Sequence, residues 1–157
     1  MGMWRNGSGQ LTVIGRNGAS AESSRDRSTG IALEIAASYG TRRRGLLGRD
    51  GIEGALLITP CNSVHTFRMR FAIDVAYVDK ELTVLEVQTL KPGRLPLPRL
   101  RARHVLEAEA GAMERWGLRP GGRVSISVDG GTASGGAGGA AGATGAAGAA
   151  GAAGAAG

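Results

Sequence analysis

The chain has 157 residues, room for one domain, with a formal net charge of +6 and a single cysteine. One cysteine excludes an internal disulfide and fits a reducing compartment, and no apolar run is long enough for a membrane span or a signal-peptide core. The expectation is therefore a cytoplasmic protein. Of the 19 basic residues all but Lys80 and Lys91 are arginine, a bias that GC-rich coding alone would produce.

Residues 1–30 hold scattered glycine, serine and arginine and read as poorly ordered, except that Leu11-Thr12-Val13-Ile14 suggests an edge strand over 11–15. Ile31, Leu33 and Ile35 alternate with Ala32, Glu34 and Ala36 at strand period. Ser38 to Gly40 ends that strand. Thr41 then reads as the N-cap of a short helix running through Leu46 and Leu47. This places Arg42, Arg43 and Arg44 in the first turn, against the helix dipole, as a tolerated surface feature or a site for an anion. Ala55-Leu56-Leu57-Ile58, between Gly54 and Pro60, suits a buried strand.

Val64 to Val78 reads as one extended arm, with His65, Phe67, Met69, Phe71, Ile73, Val75 and Tyr77 on the apolar parity. Thr66, Arg68, Arg70 and Asp74 occupy the other parity. Asp79-Lys80-Glu81 turns the chain, and Leu82 to Leu90 returns as the second arm of a hairpin. Pro92, Pro96 and Pro98 hold the next stretch as a loop. His104 to Glu107 forms a short strand, Ala110 to Trp116 a short helix stopped by Gly117, and Val124, Ile126 and Val128 a last strand. Phe67, Met69 and Phe71 read as core, and Trp116 as a cap over it. Residues 129–157 form a glycine/alanine tract with glycine at every third position from Gly142. It lacks the proline that collagen needs and buries too little apolar surface to order itself, so the tail reads as disordered.

Short strands, one or two short helices and frequent turns predict a mainly-β domain over residues 31–128, a small sandwich or barrel. Three ordered blocks also resemble a known family. Arg43-Arg44-Gly45-Leu46-Leu47-Gly48-Arg49, the block Cys61 to Val75, and Val105-Leu106-Glu107 followed by Ala110-Gly111 are similar to elements of domain of unknown function 192. The resemblance implies a jelly-roll-like β-sandwich found in bacteria and archaea, with no activity to carry over. Ala72, Ala108 and Glu109 depart from that family's usual residues, and the hairpin turn lacks its usual glycine.

The candidate site residues are Arg43, Arg49, His65, Arg70, Asp74 and Glu107, which read either as converging at one cleft or as pairing locally with other elements, with His65 then lining the edge of the core. Asp74 is the natural partner for Arg43 or Arg49, and a bend near Phe71 would bring it to Arg70. Two histidines and one cysteine fall short of the three or four ligands of a zinc site, so neither metal nor cofactor is expected. Cys61 and His65 lack a visible third group that would complete a nucleophile.

A second basic group, Lys91, Arg94, Arg99, Arg101, Arg103 and His104, sits in a span with no acidic residue between Glu86 and Glu107. Such a patch attracts phosphate or carboxylate groups. Scarce aromatic residues argue against nucleic acid. The expected function is a binding module with an arginine-lined polar cleft for an anionic small ligand or a protein partner. One alternative is a small enzyme using His65 as acid/base with Asp74 or Glu107. Another, suggested by exported relatives in the resembling family, is an accessory protein of a membrane or envelope assembly.

Overall fold

A computed structural model describes residues 4–15 and 30–129; the expected tail lies outside the described residues, as does most of the segment before Gly30. The elements are β1 (Gly7–Ile14), β2 (Ile31–Ala36), α1 (Tyr39–Arg44), β3 (Ala55–Ile58), β4 (Ile73–Val78), β5 (Val84–Leu90), β6 (His104–Glu109), α2 (Ala112–Arg115) and β7 (Arg123–Val128). The protein is mainly β with two short helices, as the patterning predicts. The strands join in one seven-stranded sheet of order β5-β4-β6-β3-β2-β1-β7. Only β2 and β3 run parallel, because the α1 crossover links them.

The run expected as an edge strand is longer and lies inside the sheet. β1 pairs antiparallel with β2 on one side and β7 on the other. Gly9 permits this, since a Cβ there would collide with the Ser127 backbone. The true edges, β5 and β7, meet at one end through a Thr83–Arg123 bridge, with Val84 N donating to Gly122 O at 2.8 Å and Gly121 N to Val84 O at 2.8 Å. The sheet thus curls until its edges touch, which protects them from pairing with other chains.

Curling gives the sheet an inside and an outside. Leu11, Leu33, Leu57, Ala76, Val78, Leu106 and Ile126, one or more from nearly every strand, fill the inside with Met113 of α2 and Leu118. The outer face of β3, β4 and β6 presents Leu56, Ile58, Ile73, Val75, Tyr77 and Val105, covered by Leu46, Cys61, Val64, Met69 and Ala102 from the connecting loops. The near-continuous apolar runs of β3 and β4 follow from burial on both faces; every residue of either strand is buried.

Three expectations change in detail. Helix α1 begins earlier: Ser38 is its N-cap, its Oγ accepting from Thr41 N at 3.3 Å, and Gly45 closes it at φ 47°. The arginines therefore lie in the last turn, where the dipole favours cations. Leu46, just past the end, is a wholly buried anchor. Second, the extended arm is a strand only from Ile73; residues 64–72 are irregular, with Arg68 at φ 60°. Parity fails there: Thr66 is wholly buried while Phe67 is 42% exposed, so Phe67 is not core. Met69 is buried and Trp116 packs against the inner core. Third, the hairpin turn manages without glycine because Asp79 Oδ1 accepts from Glu81 N and Thr83 N, both at 2.9 Å, and Leu82 takes the left-handed conformation at φ 64°.

Candidate functional site

The strand alternation separates two of the candidate residues. In the β4–β6 register Asp74 lies opposite Ala108 and Val75 opposite Glu107. Asp74 shares its face with Ala76 and Val78, inside the curl, whereas Glu107 shares the outer face with Val105. Asp74 is committed to the fold. Its Oδ1 accepts from Thr89 Oγ1 at 2.7 Å, and its Oδ2 accepts from Met113 N at 3.1 Å, holding the first turn of α2. Arg49 and Arg70 pair elsewhere, with Glu34 and Asp50.

Three of the four residues in the first arginine group, Arg42, Arg43 and Arg49, make contacts within the molecule, and Arg44 is exposed. Arg49 grips Glu34 of β2 in a two-pronged pair, Nη1 to Oε2 at 2.9 Å and Nη2 to Oε1 at 2.8 Å. That bond holds the Glu34 carboxyl below its ordinary range and raises Arg49. Arg70 bonds Asp50 at 2.8 Å, Arg43 Nη1 reaches Tyr39 Oη at 3.3 Å, and Arg42 Nη1 donates to Pro60 O at 2.9 Å.

Glu107 is wholly buried, and its charge acts on both Arg49 and Cys61. Arg49 and Glu107 are thus the candidate pair the fold does bring into electrostatic reach. Cys61 donates from Sγ to Ser63 O at 3.0 Å, and burial pushes its thiol up to about 12, which favours the protonated form. His65 stacks on Phe67 with ring centroids 5.1 Å apart. Its Nδ1 is buried without a hydrogen-bond partner, and burial lowers its proton affinity. No group of three metal-ligating side chains occurs among the described residues.

The second basic group is presented differently, and the device that presents it is Thr66. Its Oγ1 donates to Lys91 O at 2.7 Å and accepts from Arg94 N at 2.8 Å. Its backbone N donates to Arg94 O at 2.8 Å, and its carbonyl accepts from Gly93 N at 2.7 Å. Arg99 N to Asn62 O at 2.8 Å ties a second point. The loops 61–71 and 91–103 are therefore zipped side by side. Arg99 also pairs with Glu86, Nε to Oε2 at 2.6 Å, with its guanidinium 5.1 Å above the Tyr77 ring. His104 is turned inward, with Nδ1 2.7 Å from Thr59 Oγ1 and its ring edge-on to Trp4.

On this frame Lys91, Arg94, Arg101 and Arg103 are exposed, and so are Leu95 at 64%, Leu97 at 79% and Leu100 at 88%. An open depression of about 400 Å³ lies beside them, lined by Thr89, Leu90, Lys91, Arg94, Leu95 and Pro96. The charge of this span is legible in the sequence. The leucines are missed there because the prolines mark the stretch as loop without saying which side chains it leaves in water. The signal for Thr66 is no stronger, since its partners are backbone atoms twenty-five or more residues away.

Comparison with known proteins agrees with the three sequence blocks. A UPF0127 protein of Pyrococcus horikoshii is 34% identical over 87 residues, 52% of this chain and 76% of the relative. One from Pyrococcus abyssi is 33% identical over 84 residues, 50% of this chain and 72% of the relative. A solved structure from Sinorhizobium meliloti matches 80% of this chain and 98% of its own at TM-score 0.62 and 18% identity. A protein of unknown function from Novosphingobium aromaticivorans matches 74% and 83% at TM-score 0.57 and 20% identity. These structural matches show a shared fold alone. A family model, DUF192, described as an uncharacterised ACR, matches residues 21–126, and the chain belongs to that family.

Proposed function

We propose that this chain is a non-catalytic binding module of the cytoplasm that presents the 91–103 loop, braced by residues 61–71, to a negatively charged partner. The observation that supports it most is the exposure of three leucines among Lys91, Arg94 and Arg101 on a loop that Thr66 holds in place. A span without an acidic residue draws an anionic partner in, and a loop already ordered loses little freedom when it binds. On this reading the arginine-lined surface for an anion is that of residues 91–103, since Arg49 and Arg70 are paired with Glu34 and Asp50. A single buried thiol and the lack of any membrane-length apolar segment in the sequence support the cytoplasmic location.

The test is titration with poly-L-glutamate as an acidic probe at low salt. The triple variant Lys91→Ser/Arg94→Ser/Arg101→Ser is expected to weaken binding roughly tenfold or more, while the charge-matched Arg43→Ser/Arg44→Ser/Arg119→Ser leaves it nearly unchanged. Equal losses in the two variants would reduce the effect to overall net charge and overturn the reading.

A further inference from the structure

We infer that the partner is an anionic lipid bilayer, which the 91–103 loop docks by inserting Leu95, Leu97 and Leu100 between headgroups while the flanking cations engage lipid phosphates. This rests on the binding surface proposed above and names its occupant. Three features favour lipid over an acidic protein. The leucines are 64%, 79% and 88% exposed, and of the three Leu95 alone borders the open depression beside Lys91 and Arg94, so Leu97 and Leu100 are not seated around a hollow that a partner's anchor could fill. A bilayer interface accepts protruding side chains of any outline, whereas a protein partner demands a complementary shape.

The chemistry points the same way. Energetic centres of protein interfaces are rich in tryptophan and tyrosine and poor in leucine, and residues 91–103 contain no aromatic residue at all. Leucine mixed with lysine and arginine is the composition of segments that lie in the headgroup region. Charge is arranged to match. Lys91 and Arg94 precede the leucine run, Arg101 and Arg103 follow it, and no carboxylate lies between Glu86 and Glu107 to repel a phosphate. Arg99, the basic residue nearest the middle, is turned back onto Glu86 and Tyr77.

The backbone sets the depth. Irregular chain cannot enter the hydrocarbon, where its amide groups would lose their partners, so only the leucine side chains cross into the apolar region. Pro92, Pro96 and Pro98 limit the freedom of the loop before it docks, and the Thr66 bonds hold its base. Phe67, 42% exposed, follows Thr66 on the adjoining loop.

The experiment is co-sedimentation of the full chain with vesicles of phosphatidylcholine alone and of phosphatidylcholine mixed with phosphatidylglycerol, run beside the poly-L-glutamate titration. Binding is expected to the mixed vesicles and to be nearly absent on phosphatidylcholine. Leu95→Ser/Leu97→Ser/Leu100→Ser should lower partitioning on the order of a hundredfold, with an unchanged melting temperature because all three sites are exposed. Wild-type partitioning that the leucine variant matches would mean surface adsorption by charge, overturning insertion while leaving the binding surface standing. No vesicle binding together with loop-dependent polyglutamate binding would overturn the lipid assignment in favour of an acidic protein. Failure of both probes would overturn the underlying reading as well.

Discussion

Residues 42–49 and residues 91–103 carry four arginines each, but the fold treats most of them in different ways. In the first stretch Arg49 is bound to Glu34 of a neighbouring strand, and Arg42 and Arg43 reach Pro60 O and Tyr39 Oη. In the second, Arg99 alone forms a salt bridge among the described residues, and the other cations face solvent beside exposed leucines. The difference lies in what the curled sheet brings alongside. The turn after α1 brings Arg49 to the Glu34 carboxylate of β2, whereas the 91–103 loop lies against residues 62–68, which offer backbone groups and no acid. Density of charge in a sequence therefore says little about availability, and the measure that matters is which acidic groups the topology places within reach.

The contrast can be sharpened first at the inner end of the second stretch. Burial depresses the His104 imidazole to about 4, with Arg103 adding to the effect. The unfolded chain, with an ordinary histidine near 6.5, takes up its proton first as pH falls. The contribution is therefore complete above about 6.5 and is lost progressively down to about 4, amounting to roughly 3 kcal/mol. Urea unfolding at pH 7, 5.5 and 4 should show this loss, and His104→Gln should flatten it. A wild-type curve as flat as the variant's would mean that this histidine is not held neutral by the fold.

A smaller loss is expected from removing the brace. Thr66→Val keeps the shape but leaves Arg94 N and Lys91 O without the Oγ1 partner, at about 2 kcal/mol. Hydrogen exchange at Gly93 and Arg94 should accelerate while exchange in β3 and β6 stays slow. If exchange rises equally everywhere, the loop has no independent brace.

The smallest effect belongs to the first stretch. Arg49→Met should cost about 1 kcal/mol, because its bridge to Glu34 is half-exposed, 37% on the arginine side and 51% on the glutamate. Glu34 is held below its ordinary range, so its contribution is present above the unfolded value near 4.5 and is lost as pH falls through the lower folded value. In Arg49→Met that acid-side dependence should disappear. A variant that retains it would show that another group holds the carboxylate.

Much of the fold follows from the local pattern of side chains. The alternation in Ile31–Ala36, the apolar run Ala55–Ile58, the turn at Asp79 and the returning arm to Leu90 each form where periodicity and turn chemistry put them, because those signals reside within a few residues of chain. The family was legible for a similar reason, its three blocks being contiguous stretches. The candidate site was legible only in part. Arg49 and Glu107 do come within electrostatic reach, but Asp74 points into the opposite core and Arg70 turns to Asp50.

By itself, then, the sequence determined the mainly-β class, the positions of most strands, the basic span from Lys91 to Arg103 and the lack of a disulfide. Tertiary structure decided the rest. Which face of β4 or β6 a carboxylate occupies depends on register, a one-residue matter that no local pattern reveals. That β1 lies between β2 and β7 depends on pairing with a strand more than a hundred residues later. Whether an arginine is spent or available depends on the group that a distant strand or loop sets beside it. Those are properties of long-range contact, and the physical reason they escape the sequence is that hydrogen bonds and ion pairs are made between neighbours in space.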